Sequence, residues 1–383
     1  MKIAIMTQPL GKNYGGIMQA WALQQVLKRM GHEVVTIDRQ PDQPTLAYMA
    51  ARLGYRAAMK AIGRRKAPIN FEKHLPIILQ HTQAFIAEHI TMSEPLYSTQ
   101  QLRAHFDREN YDAVIVGSDQ TWRPKYSPNI YNFFLDFLED KEILRIAYAS
   151  SFGVNNWEYS EEQTKRCAEL AKKFDSISVR EKSGVDLCHK YLGVAATHAL
   201  DPTLLLNKDS YIKLLDKKSI NSNHSGVYSY ILDRTTEKKH LVDQYSKSLN
   251  ANAFTAQADI DLYHWSANDI SKYVMPPPKE WIEGFAKGSL VITDSFHGTA
   301  FSIIFQKPFL AAVNAARGAD RFTSLTRSLG LEHHLINIDT SFQNYGSEVA
   351  IDWSAVTMQL NAFRRHSMNH LSQSLASNES GRK

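Results

Sequence analysis

The hydrophobic pattern changes period several times along the chain, and each change marks an element. Residues 2–7, KIAIMT, form a short apolar run rich in β-formers, followed by a glycine-containing loop, QPLGKNYGG. Apolar side chains then recur at helical spacing, with Ile17, Ala20, Leu23, Leu27 and Met30 on one stripe and Gly31 as a stop. A second strand is predicted at 33–38, EVVTID, so the opening is a βαβ unit, which implies a parallel sheet. The alternation resumes with strands at 112–117 and 145–150, a helix over 160–173 and a strand at 176–180. A polar stretch at 217–225 reads as a linker. A second series follows: a strand at 226–232, a helix over 236–249, a loop marked by three prolines at 276–278, and a strand at 289–294.

This order predicts an α/β protein with two Rossmann-like domains around a cleft. The first covers 1–215, with an insertion at about 42–110, and the second covers 216–350. A helix over 351–375 precedes a polar tail, 376–383, which is expected to be disordered.

The 383 residues, 43% apolar and 22% charged, are ordinary for a globular enzyme and exclude a mainly disordered chain. No apolar run approaches the roughly 18 residues a membrane span needs, and the first residues lack the apolar segment of a signal peptide, so a cytoplasmic location is expected. Cys167 and Cys188 fall in helical segments without metal spacing and read as buried thiols. The net charge of +5 is too small and dispersed to indicate a nucleic-acid partner. It is concentrated in one place: six Lys or Arg and no acid lie between Arg52 and Lys66. On a helix Arg52, Arg56 and Lys60 share one face and Leu46, Met49 and Leu53 another, which suits either a solvated helix or peripheral contact of 46–66 with an anionic membrane.

In open parallel sheets ligands bind at the carboxyl ends of the strands. Five polar clusters fall there: Gly11 to Gly16 with Lys12, Asn13, Tyr14 and Gly15; Gly117 to Gln120, with Ser118, Asp119, Trp122 and Arg123; Ser150 to Gly153, with Ser151; Arg180 to Lys182; and Asp294 to Gly298. The last sits between a buried-type strand and an apolar helix whose free N–H groups attract anions. His297 there is either an acid or phosphate ligand, or the partner of a nearby carbonyl, with Asp294 or Ser295 as helix cap. Arg180 ends an apolar strand and either forks an anionic ligand or pairs with Glu181 or Asp175. Asp119 orients a hydroxyl, acts as a base, or caps a helix. The loop at 11–16 fits neither dinucleotide nor Walker motifs, so its glycines are expected to admit a ligand or the other domain. His333 and His334 are an isolated pair, so no metal site is expected.

Taken in order, NYGGIMQAWALQ, VGSDQTW, YASSFG, SVREKSG, ALDPTLLL and TDSFHGTAFSIIFQKPF resemble the polysaccharide pyruvyl transferase family over roughly residues 1–340. The resemblance implies a GT-B-like fold, phosphoenolpyruvate as donor substrate without any cofactor, and a sugar acceptor, lipid-linked if the basic insertion meets membrane. It implies that Arg180 holds the anionic donor and that His297 corresponds to the family histidine. Family members carry an arginine two residues before that histidine where this chain has Ser295, so the missing charge is expected elsewhere; Arg317, Arg321 and Arg327 are either its source or ordinary solvated helix charges. Asn13, Tyr14, Gly15, Ser118, Gln120, Ser151, Asp294, Ser295 and Arg321 complete the candidate substrate contacts, with His297 and Asp119 as candidate catalytic groups. Two other classes stand beside this one. One is an inverting glycosyltransferase using a nucleotide sugar, since no pair of glutamates eight apart marks the second domain as retaining. The other is a non-catalytic scaffold in polysaccharide assembly.

Overall fold

A computed structural model describes residues 1–215, 226–262, 265, 269–313, 318–336 and 350–376. The expected linker at 217–225, Arg317 and the tail from residue 377 lie outside the described residues.

Two parallel sheets organise the chain, as the alternation of strand and helix requires. The first has seven strands: β1 (Lys2–Met6), β2 (Glu33–Arg39), β3 (Met92–Leu96), β4 (Ala113–Val116), β5 (Leu144–Ser150), β6 (Ser176–Val179) and β7 (Thr197–His198), in the order β3-β2-β1-β4-β5-β6-β7. Ile3 pairs with Val34 on one side and Ala113 on the other, so β1 is an interior strand. β4 and β5 are buried at every position, which is why they read as continuous apolar runs rather than alternating ones. The second sheet comprises β8 (Val227–Tyr230), β9 (Ala253–Phe254), β10 (Leu290–Thr293), β11 (Phe309–Ala312) and β12 (Leu335–Ile336), in the order β12-β11-β10-β8-β9.

The region read as an insertion is only partly outside the sheet. It includes β3, which pairs with β2 at the edge and whose Pro95 suits an edge strand. Before β3 lies helix α2 (Leu46–Ala61), none of whose residues is buried.

Helix α1 (Tyr14–Arg29) joins the two halves. Asn13 caps it by accepting from the Gly15 N–H, and thirteen of its sixteen residues are buried. Its apolar side chains share one core with Trp281, Phe285 and Phe301 of the second domain. The C-terminal helix, Trp353–Ala376, returns to the first sheet. There Ser367 Oγ accepts from the Leu200 N–H at 3.0 Å, Ser374 Oγ donates to Ser176 Oγ at 2.7 Å, and Arg364 donates to the Leu204 carbonyl at 2.8 Å. Cys167 and Cys188 are buried and unbridged; burial pushes the Cys167 thiol up to about 12, far from a reactive thiolate.

Candidate active site

The carboxyl ends of β1, β4, β5, β6 and β10 converge on the space between the sheets. The cleft there is lined by Asn13, Gly16, Asp119, Gln120, Asp294, Ser295, Phe296, His297 and Arg321. Two helix starts point into it, that of α1 and that of the helix Phe296–Ile304, so their unsatisfied N–H groups make the cleft receptive to anions.

His297 lies in the first turn of the second helix and is 3% exposed. Its Nε2 stands 3.4 Å from Asp201 Oδ2, across the junction between the domains. On the other side of the ring a Cβ added to Gly15 would meet Nδ1 at 2.1 Å. Glycine is therefore required at position 15 by the opposite domain's histidine, one of the two roles expected for this loop.

Asp201 is fully buried; Thr203 donates to its Oδ1 through both N–H and hydroxyl, and its Oδ2 faces three partners. Besides His297, its Oδ2 accepts from Arg180 Nη1 at 2.8 Å and from Ser118 Oγ at 3.2 Å. Burial alone would raise its pKa, but the adjacent His297 and Arg180 outweigh it and hold the carboxyl well below the usual range. Burial likewise opposes the charge on Arg180, and Asp201, Glu181 and Asp119 overcome it, so the guanidinium pKa is raised. Arg180 Nη2 stands 3.7 Å from Asp119 Oδ1. Its Nε and Nη2 have no hydrogen-bond partner among the described residues.

Arg180 does not line the cleft directly. Its guanidinium lies 4.5 Å from the Phe296 ring centroid, and Arg321 approaches the same ring at 5.9 Å while facing the cleft. Two buried guanidiniums thus approach one aromatic ring. Burial, and then the like charge of Arg180, lower the Arg321 pKa to about 10. Of the arginines expected to compensate for Ser295, Arg321 reaches the site. Arg327 does not: its side chain is 72% exposed and 3.8 Å from Glu332.

Several candidate contacts serve the scaffold instead. The Tyr14 hydroxyl donates to the Pro276 carbonyl at 2.7 Å and its ring stacks on Trp281 at 5.8 Å, so it fastens the domains together and faces a different recess. Ser118 donates to the Ala149 carbonyl at 2.8 Å and is fully buried. Ser151 bonds Glu181, whose pKa burial raises despite Arg180. Asp294 lines the cleft but is spent on the backbone: it accepts from the N–H groups of Leu232 and Asp233 at 2.6 and 2.9 Å and pairs with Lys238 at 2.7 Å. Ser295 is the helix cap, accepting from the Gly298 N–H at 3.3 Å. Gln120 accepts from Arg123 at 3.1 Å, and Asp119 takes a left-handed φ of 63°, which aspartate tolerates.

The residue the sequence reading passes over is Asp201. Its signal was present in ALDPTLLL, a charged residue inside an otherwise apolar run and immediately before proline. Among the described residues no group of three or more His, Cys, Asp or Glu could hold a metal ion, and no helix is long and apolar enough to cross a membrane.

A family model described as polysaccharide pyruvyl transferase matches residues 13–314. No curated protein matches the chain. Among solved structures, UGT89C1 of Arabidopsis thaliana, complexed with UDP-L-rhamnose, is 9% identical with a TM-score of 0.52, covering 96% of this chain and 98% of that one. A UDP-GlcNAc 2-epimerase of Methanocaldococcus jannaschii is 10% identical with a TM-score of 0.46, covering 94% and 98%. The former likeness supports the GT-B-like two-sheet architecture and carries no information on substrate.

Proposed function

The chain belongs to the polysaccharide pyruvyl transferase family, and from that premise we propose that it moves the pyruvyl group of phosphoenolpyruvate onto two hydroxyls of a sugar as a ketal, releasing phosphate. The observation that carries this reading is the pair of buried guanidiniums, Arg180 and Arg321, gathered at Phe296 beside His297. A donor bearing both carboxylate and phosphate is stabilised by concentrated positive charge, and a low-dielectric wall strengthens the attraction.

The chemistry assigns each group a task. The enol methylene of the donor takes up a proton, creating an oxocarbenium-like centre at the carbon that carries the phosphate. One sugar hydroxyl attacks that carbon and loses its proton, the C–O bond to phosphate breaks, and the second hydroxyl closes the ring. Of the two hydroxyl protons, one replaces the proton delivered to the methylene and the other leaves with phosphate. His297 supplies the first proton or binds the phosphate, with Asp201 fixing its ring at 3.4 Å. Arg321 faces the donor, and Arg180 adds positive charge from one layer behind. Asp119, on the cleft wall and 3.7 Å from Arg180, orients the attacking hydroxyl.

Phosphate release from phosphoenolpyruvate, measured with and without a panel of sugar acceptors, tests the reading. Acceptor-dependent release is expected, falling about a hundredfold in His297→Ala. Transfer from a nucleotide sugar with no use of phosphoenolpyruvate would replace this reading with the glycosyltransferase one.

A further inference from the structure

Helix α2 turns an unexpected face to solvent. Its contacts with the rest of the chain run along one side, where Arg52 and Arg56 reach Glu72 at 3.7 and 2.8 Å and Arg56 donates to the Ile69 carbonyl at 3.1 Å, lying over Phe71. At about 100° per residue, one flank, centred roughly 100° round the helix from these arginines, carries Tyr48, Ala51, Tyr55, Ala58 and, at the C-cap, Ile62, spaced three and four apart. All five are exposed: Tyr48 at 60%, Tyr55 at 66% and Ile62 at 62% are large side chains held in water. The positions between them on that side hold only alanine and glycine. Of the residues expected to form an outward basic face, Arg56 is turned inward and Arg52 is half-covered beside Glu72, and the exposed flank is apolar, the reverse of a solvated surface helix.

Charge returns at the C-terminal end, where Lys60, Arg64 and Lys66 are exposed. No acid occurs between Asp42 and Glu72. A second copy of the chain seated on this face in a symmetric pair would bring like charges towards each other. An anionic bilayer matches both features at once. We infer that α2 is an interfacial helix that docks the protein on an anionic lipid surface. Its alanine-rich face lies at the acyl boundary, Tyr48 and Tyr55 at headgroup depth, and Lys60, Arg64 and Lys66 against lipid phosphates.

The helix is linked to the cleft through packed residues. The segment after it packs Ala67, Leu75, Ile78 and Leu79 around Trp265 and Tyr273. Tyr273 walls a recess that shares Asn13 and Leu232 with the cleft. Docking through α2 would hold the cleft near the bilayer, where a lipid-linked sugar is presented. The inference stands whether or not phosphoenolpyruvate is the donor.

Co-sedimentation of the full chain with phosphatidylcholine vesicles, with and without about 30% phosphatidylglycerol, tests it. Tyr55→Asp and Ala58→Glu alter exposed positions, and their thermal unfolding should match the parent. The parent is expected to pellet with the anionic vesicles, and both variants to lose about tenfold of that binding. Combined Lys60→Gln, Arg64→Gln and Lys66→Gln should reduce binding to the level of neutral vesicles. A parent protein that stays in the supernatant with anionic vesicles, or variants that pellet as it does, would overturn the inference. So would a dimer in light scattering that Tyr55→Asp dissociates while no vesicle binding is seen, which would assign the face to a second copy.

Discussion

Asp201 concentrates more of the site's electrostatics than any residue singled out in the sequence, because one carboxylate holds Arg180 from its own domain and His297 from the other. Its depressed pKa fixes the sign of a pH effect. The stabilisation is fully present above the ordinary carboxylate value near pH 4 and is lost as pH falls through the lower folded value. Asp201→Asn should therefore cost about 3 kcal/mol at neutral pH, because Arg180 is left buried beside a neutral group. It should also show a shallower loss of stability below pH 4 than the parent. Denaturant titrations at pH 7 and pH 3 check both, and parallel acid limbs would contradict the assignment. Asp201 is not legible as a site residue because it belongs to none of the five polar clusters, while Tyr14, Ser118 and Ser151 belong to such clusters and yet bond the scaffold. A polar side chain at a strand end is equally able to face a ligand or to satisfy buried backbone, and only the tertiary contacts decide.

The junction of β10 with its following helix shows how an element rather than a residue shapes the site. Asp294 ties down the start of the segment after β8 through two N–H groups and Lys238, so the two strand ends of the second sheet are set relative to each other. Asp294→Ala leaves the Lys238 ammonium buried without this partner, and urea unfolding should report a loss of about 3–5 kcal/mol. A loss below about 1 kcal/mol would mean that the segment is held by other contacts. At this scale the long, periodic elements were legible: β1, α1, β2, β4, β5, β6 and β10 lie where the apolar pattern put them. β7, β9 and β12 were not, since two residues cannot display a period, and β3 carries a proline. For α2 the period was readable and the outward face was not. Arginine pairing with Glu72 turned the helix, and nothing local to 46–61 encodes that partner.

At the scale of the molecule, the two domains close on each other through side chains that are also parts of the site. His297 packs on Gly15, and Tyr14 reaches the Pro276 carbonyl. The Lys182 N–H donates to Ser324 Oγ at 3.0 Å on the helix that carries Arg321. The two-sheet plan was legible because alternating strands and helices leave few other topologies. The cleft's contents were legible only in part, because they depend on which side chains from two distant segments meet. The central claim is that this cleft binds phosphoenolpyruvate through its guanidiniums. Thermal unfolding with that ligand, for the parent and for Arg321→Ala, which removes the guanidinium on the cleft wall, each against its own ligand-free baseline, tests it most directly. At ten times its dissociation constant the donor should add about 1.4 kcal/mol of stability to the parent and nothing to the variant. A parent protein unmoved by phosphoenolpyruvate, or a variant stabilised as much as the parent, would contradict the account.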